Sequence, residues 1–336
     1  MVKINLDNTK SILKFHYDNL TIKEGGRWTL INFLDNRINL SADNAVLINM
    51  YTELKTNCLK NNDGYSLLTA LPSELENFKT NFENTYAAQL NAIFKTKADG
   101  KTVTYRQDLL KVFYYSDYDK WKSYELARKI KVKVCPYCNR SFTFVLGNDS
   151  KKGTRFEYDH FYDKAKYPYL ALSFYNLVPS CHICNSNFKG DKQFTLNTNI
   201  HPYIQDFWND IVFSIYPKNI NFINGASEEY RIRIIKQNNE VDIVKYKKAY
   251  KNIRTFGLIK LYNMHKDYVN EIILKSIVYN EDHITELYRK YGGTLFSSED
   301  DVKRMVLGNY VNEEEYSKRP LSKLTADISK ELGIIK

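Results

Sequence analysis

No stretch of this 336-residue sequence is apolar for long enough to cross a membrane, and the N-terminal MVKINLDNTKSILKF lacks the apolar core of a signal peptide. Export is therefore unsupported, and a cytoplasmic location with no membrane partner is expected. No repeat period or low-complexity tract appears, which sets solenoids and biased linkers aside. Cysteine is scarce, five residues in all, an odd count in a chain without an export signal. That argues against a disulfide framework and for metal binding in a reducing compartment. The rest is ordinary for a soluble globular protein: 43% hydrophobic, 26% charged, and long enough for two or three domains.

The charges are unbalanced. Lysine and arginine number 49 against 39 aspartates and glutamates, a formal net charge of +10. An excess of this sign favours a polyanionic partner such as nucleic acid, although many basic proteins bind none.

Apolar residues recur at helical spacing early in the chain, at Leu47, Ile48, Tyr51 and Leu54 and again at Phe78, Phe82, Tyr86 and Leu90. Ser41 and Asp43 are the expected N-caps of the first of these helices. After a turn at 98–100, two further helices are expected over 105–115 and 118–130. Residues 142–145 and 155–158 have strand composition around a polar turn, which reads as a hairpin. Residues 211–216 and 230–235 alternate like strands, and helices are expected over 242–262, 265–289, 300–307 and 321–332. The pattern is α+β. It divides into a helical N-terminal domain (1–130), a central domain (131–205) and a C-terminal region of short strands followed by helices (206–336).

Four of the cysteines form two Cys-x-x-Cys pairs, Cys135/Cys138 and Cys181/Cys184. Such a turn presents two sulfurs to one Zn²⁺, and two turns complete a tetrahedral shell with no open position, so a zinc here is structural. The spacer, residues 139–180, is longer than in a compact zinc ribbon and must fold on its own. His182 is read as a bystander and Cys58 as a small buried apolar residue.

The spacer and its flank carry residues suited to phosphodiester hydrolysis. That reaction needs a base for water, a divalent ion at the departing oxygen, and hard oxygen ligands for the ion. Asp159-His160, at the end of an expected strand, offers a carboxylate beside an imidazole whose ordinary pKa of about 6.5 suits proton transfer near neutrality. Asn176 could hold a loop through side-chain to backbone hydrogen bonds, and Asn185 could offer an amide oxygen to a metal. Arg155, Lys164, Lys166, Lys189 and Lys192 are candidate phosphate contacts, or else ordinary surface charges. Glu157 either supports the site or faces solvent. His201-Pro202-Tyr203 reads as a structural turn, with contact to substrate or metal the lesser alternative.

Enclosed between the two cysteine pairs, these motifs resemble the HNH endonuclease superfamily over residues 131–191. The resemblance implies a ββα-metal core, a hairpin and a helix wrapped on one divalent ion. It implies His160 as the general base, Asp159 as a ligand of the catalytic metal and Asn176 as the residue orienting the loop of the base. Where the family commonly has histidine after the second cysteine pair, this chain has Asn185. That resembles the HNN variant and implies Asn185 as a metal ligand, with Mg²⁺ or Mn²⁺ as the catalytic ion beside structural Zn²⁺. Tyr-Pro-Tyr-Leu-Ala-Leu-Ser (167–173), Cys184-Asn185-Ser186 and Arg-Pro-Leu-Ser-Lys-Leu (319–324) are similar to HNH nucleases of bacterial anti-phage systems. The Septu nuclease subunit and retron-associated HNH effectors are the ones meant. That implies DNA as substrate and an ATPase partner. A zinc-stabilised module that binds nucleic acid without cutting, and an RNA-cleaving nuclease, stand as alternatives.

Overall fold

Short polar side chains decide where the N-terminal helices begin. In a computed structural model that describes residues 2–22, 28–113, 122–148, 151–207, 210–223, 227–237 and 242–336, Asn8 opens helix α1 (Thr9–Thr21) by accepting from the Ser11 amide. Thr29 and Asn32 form a reciprocal capping box on α2 (Leu30–Leu40). Helix α3 (Ala45–Cys58) is capped by Asn44, whose side chain accepts from Leu47 at 3.1 Å. Neither Ser41 nor Asp43 takes that place. Ser41 closes α2 instead, its amide on the Ile38 carbonyl. Helix α4 (Pro72–Asn91) starts with proline at its first position, where no amide is needed. Of the expected stripes, Leu47, Tyr51 and Leu54 on α3 and Phe82, Tyr86 and Leu90 on α4 are buried, and Ile48 and Phe78 are half-buried.

A small hairpin that the helical pattern had not suggested follows, β1 (Ile93–Thr96) with β2 (Thr102–Thr104). Then come α5 (Tyr105–Val112) and α6 (Ser123–Ile130); residues 114–121, where parts of two expected helices fall, lie outside the described residues.

The central strands pair differently from expectation. Strand β3 (Leu146–Asn148) meets β4 (Lys151–Thr154), whereas β5 (Glu157–His160) pairs with β6 (Leu177–Ser180), antiparallel from Glu157↔Ser180 to His160↔Leu177. The expected hairpin of 142–145 with 155–158 does not form. Phe142 and Phe144 are half exposed and stack on each other, ring centroids 4.5 Å apart, while all four β6 residues are buried. The Asp-His strand thus takes the partner that buries most apolar surface, one far along the chain.

In the C-terminal third, β7 (Ile211–Pro217) and β8 (Tyr230–Lys236) form a regular antiparallel ladder. Helices α7 (Ile243–Thr255), α8 (Leu258–Tyr262), α9 (Lys266–Val278), α10 (Glu281–Tyr291), α11 (Glu299–Leu307) and α12 (Ser322–Glu331) follow. Two helices expected to be continuous are each broken. One breaks at Gly257 and the other at Asn280, which caps α10 by accepting from His283.

The described residues thus form helices with small two-stranded antiparallel sheets, and their buried side chains make one apolar cluster from Val2 to Ile335. No helix among them is long and apolar enough to cross a membrane. Several segments converge on the first cysteine turn: the Val2 amide donates to Pro136 O at 2.8 Å and the Leu321 amide to Asn139 O at 2.6 Å.

Candidate metal centre and the cavity beside it

The Cys135–Cys138 turn closes because Asn139 adopts the left-handed conformation (φ 50°), which asparagine tolerates better than most residues. This brings the Asn139 amide onto Cys135 O at 2.9 Å and the Arg140 amide onto Cys138 Sγ at 3.4 Å. The buried Asn139 side chain donates to Tyr316 O, and the Tyr262 hydroxyl donates to Cys138 O at 2.6 Å. The second pair leads from β6 into a short π-helical segment, Ile183–Lys189, which Gly190 ends (φ 52°).

All four sulfurs lie within 4.8 Å of one another, with Cys138 and Cys181 at 4.0 Å, and none is disulfide-bonded. A zinc tetrathiolate with bonds of about 2.3 Å has sulfur–sulfur edges of about 3.8 Å, so this cluster can hold a metal ion such as zinc. Cys135, Cys138 and Cys184 are buried and Cys181 half-buried. Hydrogen bonding from Cys135, then Cys138 and Cys184, drives the Cys181 thiol far down, toward the thiolate that binds metal. His182 takes no part: its exposed ring pairs through Nδ1 with Glu157 at 2.6 Å. Cys58 is buried away from the cluster, and burial pushes its thiol up.

Strand β5 places the Asp-His pair against this centre. Asp159 is 2% exposed; Tyr137, between the first two cysteines, donates its hydroxyl to Oδ2 at 2.6 Å, and Lys189 Nζ lies 2.9 Å from Oδ1. Lys189 also donates to the His160 carbonyl at 2.6 Å and spans to the Phe194 ring. His160 holds Ala171 O through Nε2 at 3.1 Å. A carbonyl only accepts, so Nε2 carries the hydrogen and the neutral ring has its lone pair on Nδ1. Burial first, then the Lys164 and Lys189 charges, push the imidazolium well below the ordinary histidine range.

Asn176 ties the loop behind His160. Its Oδ1 accepts from the Tyr162 amide at 2.7 Å, and its Nδ2 donates to Tyr162 O at 3.2 Å and Leu170 O at 2.9 Å. Asn185 donates from Nδ2 to Glu157 Oε2 at 2.7 Å. A carboxylate cannot donate, so this bond fixes the amide and leaves Oδ1 as the acceptor end. Burial raises the Glu157 carboxyl, but donation from His182, Asn185 and Ser186 outweighs it and holds the group low.

A cavity of about 180 Å³ gathers Asp159, His160, Asp163, Lys164, Asn185 and Lys189 around one space. Of the candidate cations, Lys164 and Lys189 reach it, and Lys189 is a buried ion-pair partner rather than a surface charge. Lys192 is exposed and donates to Phe188 O, Lys166 lies over Tyr167, and Arg155 lies over Tyr124 and Tyr158. None of these three lines the cavity. His201 is buried against Phe161, and the Tyr203 hydroxyl donates to Leu177 O, which makes that turn a packing element.

Two residues matter more here than sequence reasoning gave them. Glu157 had a signal, since it lies two positions before Asp159 and so shares its strand face. Tyr137 had none, because nothing in Cys-Pro-Tyr-Cys says where the hydroxyl goes. No family model, curated protein or solved structure matches this chain.

Proposed function

We propose that this chain is a metal-dependent endonuclease that hydrolyses DNA phosphodiester bonds, of the HNH type in its HNN form, with a structural zinc on the four cysteines. The observation that carries the reading is the single cavity joining Asp159, His160 and Asn185, which the sequence holds on the end of strand β5 and on a helical segment. The order strand β5, strand β6, helical segment supports it, with Asp159 and His160 at the first end of the unit and Asn185 at the last.

His160 takes a proton from water at Nδ1, being neutral near pH 7 and fixed by the Ala171 carbonyl. The water oxygen bonds to phosphorus as the bond from phosphorus to the leaving sugar oxygen breaks, and that oxygen collects a proton from solvent. A hard divalent cation, Mg²⁺ or Mn²⁺, supplies charge neutralisation at the phosphate and the departing oxygen when bound. Asp159 and Asn185 Oδ1 would hold it. The donor set fits, because a carboxylate has about four lone-pair sites and Tyr137 and Lys189 use two of them. Lys164 and Lys189 add positive charge where the phosphate would lie. A role in anti-phage defence with an ATPase partner extends this reading on the sequence resemblance alone.

One observation favours a second reading, a module that binds nucleic acid without cutting: Lys189 already neutralises Asp159 without any metal. Cleavage of supercoiled plasmid in Mn²⁺ or Mg²⁺ separates the two. The endonuclease predicts nicking that falls by about 10²-fold or more in His160→Ala. Bound but intact DNA with both proteins would favour the module, and equal cutting by both would exclude His160 as the base.

A further inference from the structure

A second cationic surface lies on the C-terminal part of the chain. The β7–β8 hairpin, α8 and the start of α9 surround a shallow pocket of about 520 Å³, into which Lys218, Arg231, Arg233, Lys260 and Lys266 project, and no acidic residue lines it. Strand alternation explains two of these: Tyr230 and Ile232 point into the core, so Arg231 and Arg233 point out. Arg233 lies over the Tyr216 ring, its Cζ 3.1 Å from the centroid, a contact that restrains the guanidinium fork. Lys266 donates to a neutral acceptor, Glu228 O.

The bland account is a solvated basic face. Elsewhere on this molecule, surface cations take carboxylates within a helical turn, as in Lys14–Asp18, Lys303–Asp300, Arg304–Asp301 and Lys318–Glu315. Among the described residues, none of the five pocket cations forms an ion pair. Glu228 and Asp267 stand near enough to act on the Tyr230 hydroxyl, but neither lines the pocket, and the five like charges gathered there repel one another, a cost that an anionic ligand reduces.

This surface is also bolted to the metal centre. Asn263 joins α8 to β8, accepting from the Ile232 amide and donating to Ile232 O. At the head of α8, Gly257 (φ 59°) lies so close to Phe188 that a Cβ would sit 2.9 Å from its ring, and Phe188 belongs to the segment that carries Asn185 and Lys189. At its foot, Tyr262 holds Cys138 O.

The geometry points to this pocket as a second grip on nucleic acid, one that takes the phosphodiester backbone without reading bases. Guanidinium forks and ammonium groups around a pocket free of carboxylates suit phosphate oxygens, and the rigid α8 connection sets the grip at a fixed distance from the cavity. The inference rests on nucleic acid as the partner and not on the chain's cutting it.

The test is binding of a short labelled DNA duplex by the full chain across a salt series, with no divalent ion added. Arg231→Glu with Lys260→Glu is compared with an equal reversal on the β1–β2 hairpin, Lys95→Glu with Lys97→Glu. Phosphate contact predicts that the first pair weakens binding at least about tenfold and lowers the salt slope by about 2, roughly 1 for each lost contact. The hairpin pair should leave the slope nearly unchanged. Should the Arg231 variant melt early, Lys218→Glu with Lys260→Glu replaces it. Equal losses in both pairs, no loss in either, or a wild type that binds anionic phospholipid vesicles but not duplex overturns the grip. A wild type that binds duplex yet never cuts in Mn²⁺ sinks the endonuclease and leaves the grip standing. A wild type that cuts with a KM untouched by the double reversal does the opposite.

Discussion

Lys323 and Asp327 pair one turn apart on α12, their side chains 4% and 5% exposed; Lys189 and Asp159 pair between the helical segment and β5, each 2% exposed. By burial and composition the two are alike. In the α12 pair, burial pushes Lys323 down and Asp327 up, and for these two groups the mutual attraction falls short of cancelling it. The second oxygen of Asp327 accepts the Phe213 amide at 2.8 Å, so this pair fastens α12 to β7. The second oxygen of Asp159 accepts a tyrosine hydroxyl, and its lysine holds the carbonyl of a histidine beside a cavity. A buried ion pair therefore marks no site by itself. What separates the two is the company each carboxylate keeps.

The sharpest way to break the comparison is to remove each lysine. Lys189→Met and Lys323→Met each strand a buried carboxylate, and each should cost about 3–5 kcal/mol in thermal or denaturant unfolding. The two should then part on adding Mn²⁺. A cation at Asp159 replaces the lost ammonium, and at a hundred times its Kd restores about 2.7 kcal/mol. Lys323→Met should gain no more from Mn²⁺ than wild type does, since Asp327 has a backbone amide and no cavity ligands beside it. Melting temperatures measured with and without Mn²⁺ decide it, and an unmoved Lys189→Met would remove Asp159 as a metal ligand.

Acid probes the surroundings of the Lys189–Asp159 pair. His16 Nε2 holds Leu172 O at 2.8 Å, next to the Ala171 carbonyl that His160 holds. Burial pushes His16 down to about 4, and His201 down to about 3, from 6.5. Both are neutral when folded, so the unfolded chain binds protons first as the pH falls. Their contribution is intact above pH 6.5 and is lost on descending toward 4 and 3, where it levels off. For His16 the window is about two and a half units, about 3 kcal/mol at roughly 1.4 each. His16→Gln keeps a donor for Leu172 O and should flatten the stability curve between pH 6.5 and 4. A curve parallel to wild type would show that His16 is not held neutral.

How much of this was legible beforehand depended on range along the chain. The four-cysteine cluster follows from spacing, because a Cys-x-x-Cys turn is a local object that brings its own geometry. The strand ending in Asp159-His160, the β7–β8 hairpin and the buried stripes of α3 and α4 follow from periodicity for the same reason. The partner of the Asp-His strand did not, because local composition offers Phe142–Val145 and burial chooses Leu177–Ser180. Ser41, Asp43 and Asn44 are all good caps, and only the distance to Leu47 chooses Asn44. Lys189 reads as one more charge beside Lys192; its burial is set by packing that no single stretch contains. The break at Gly257 is of that kind too, fixed by Phe188, which lies far back along the chain.

The finest test leaves both ion pairs intact and changes only the orientation of Asn185. Glu157 is partly exposed, so Glu157→Gln should shift unfolding by no more than about 1 kcal/mol. Its effect on the site is larger in kind. With an amide in place of the carboxylate, the Asn185 side chain can turn over, because the new partner donates as well as accepts, and Oδ1 is no longer fixed as the acceptor facing the cavity. Outer partners that orient a metal ligand are typically worth about 10–100-fold in affinity. Mn²⁺ affinity, followed calorimetrically, should therefore fall about tenfold in Glu157→Gln while the melting temperature without metal barely moves. A variant that binds Mn²⁺ as tightly as wild type would mean that Asn185 takes no part in holding the ion, and would leave Asp159 and its lysine to account for the site.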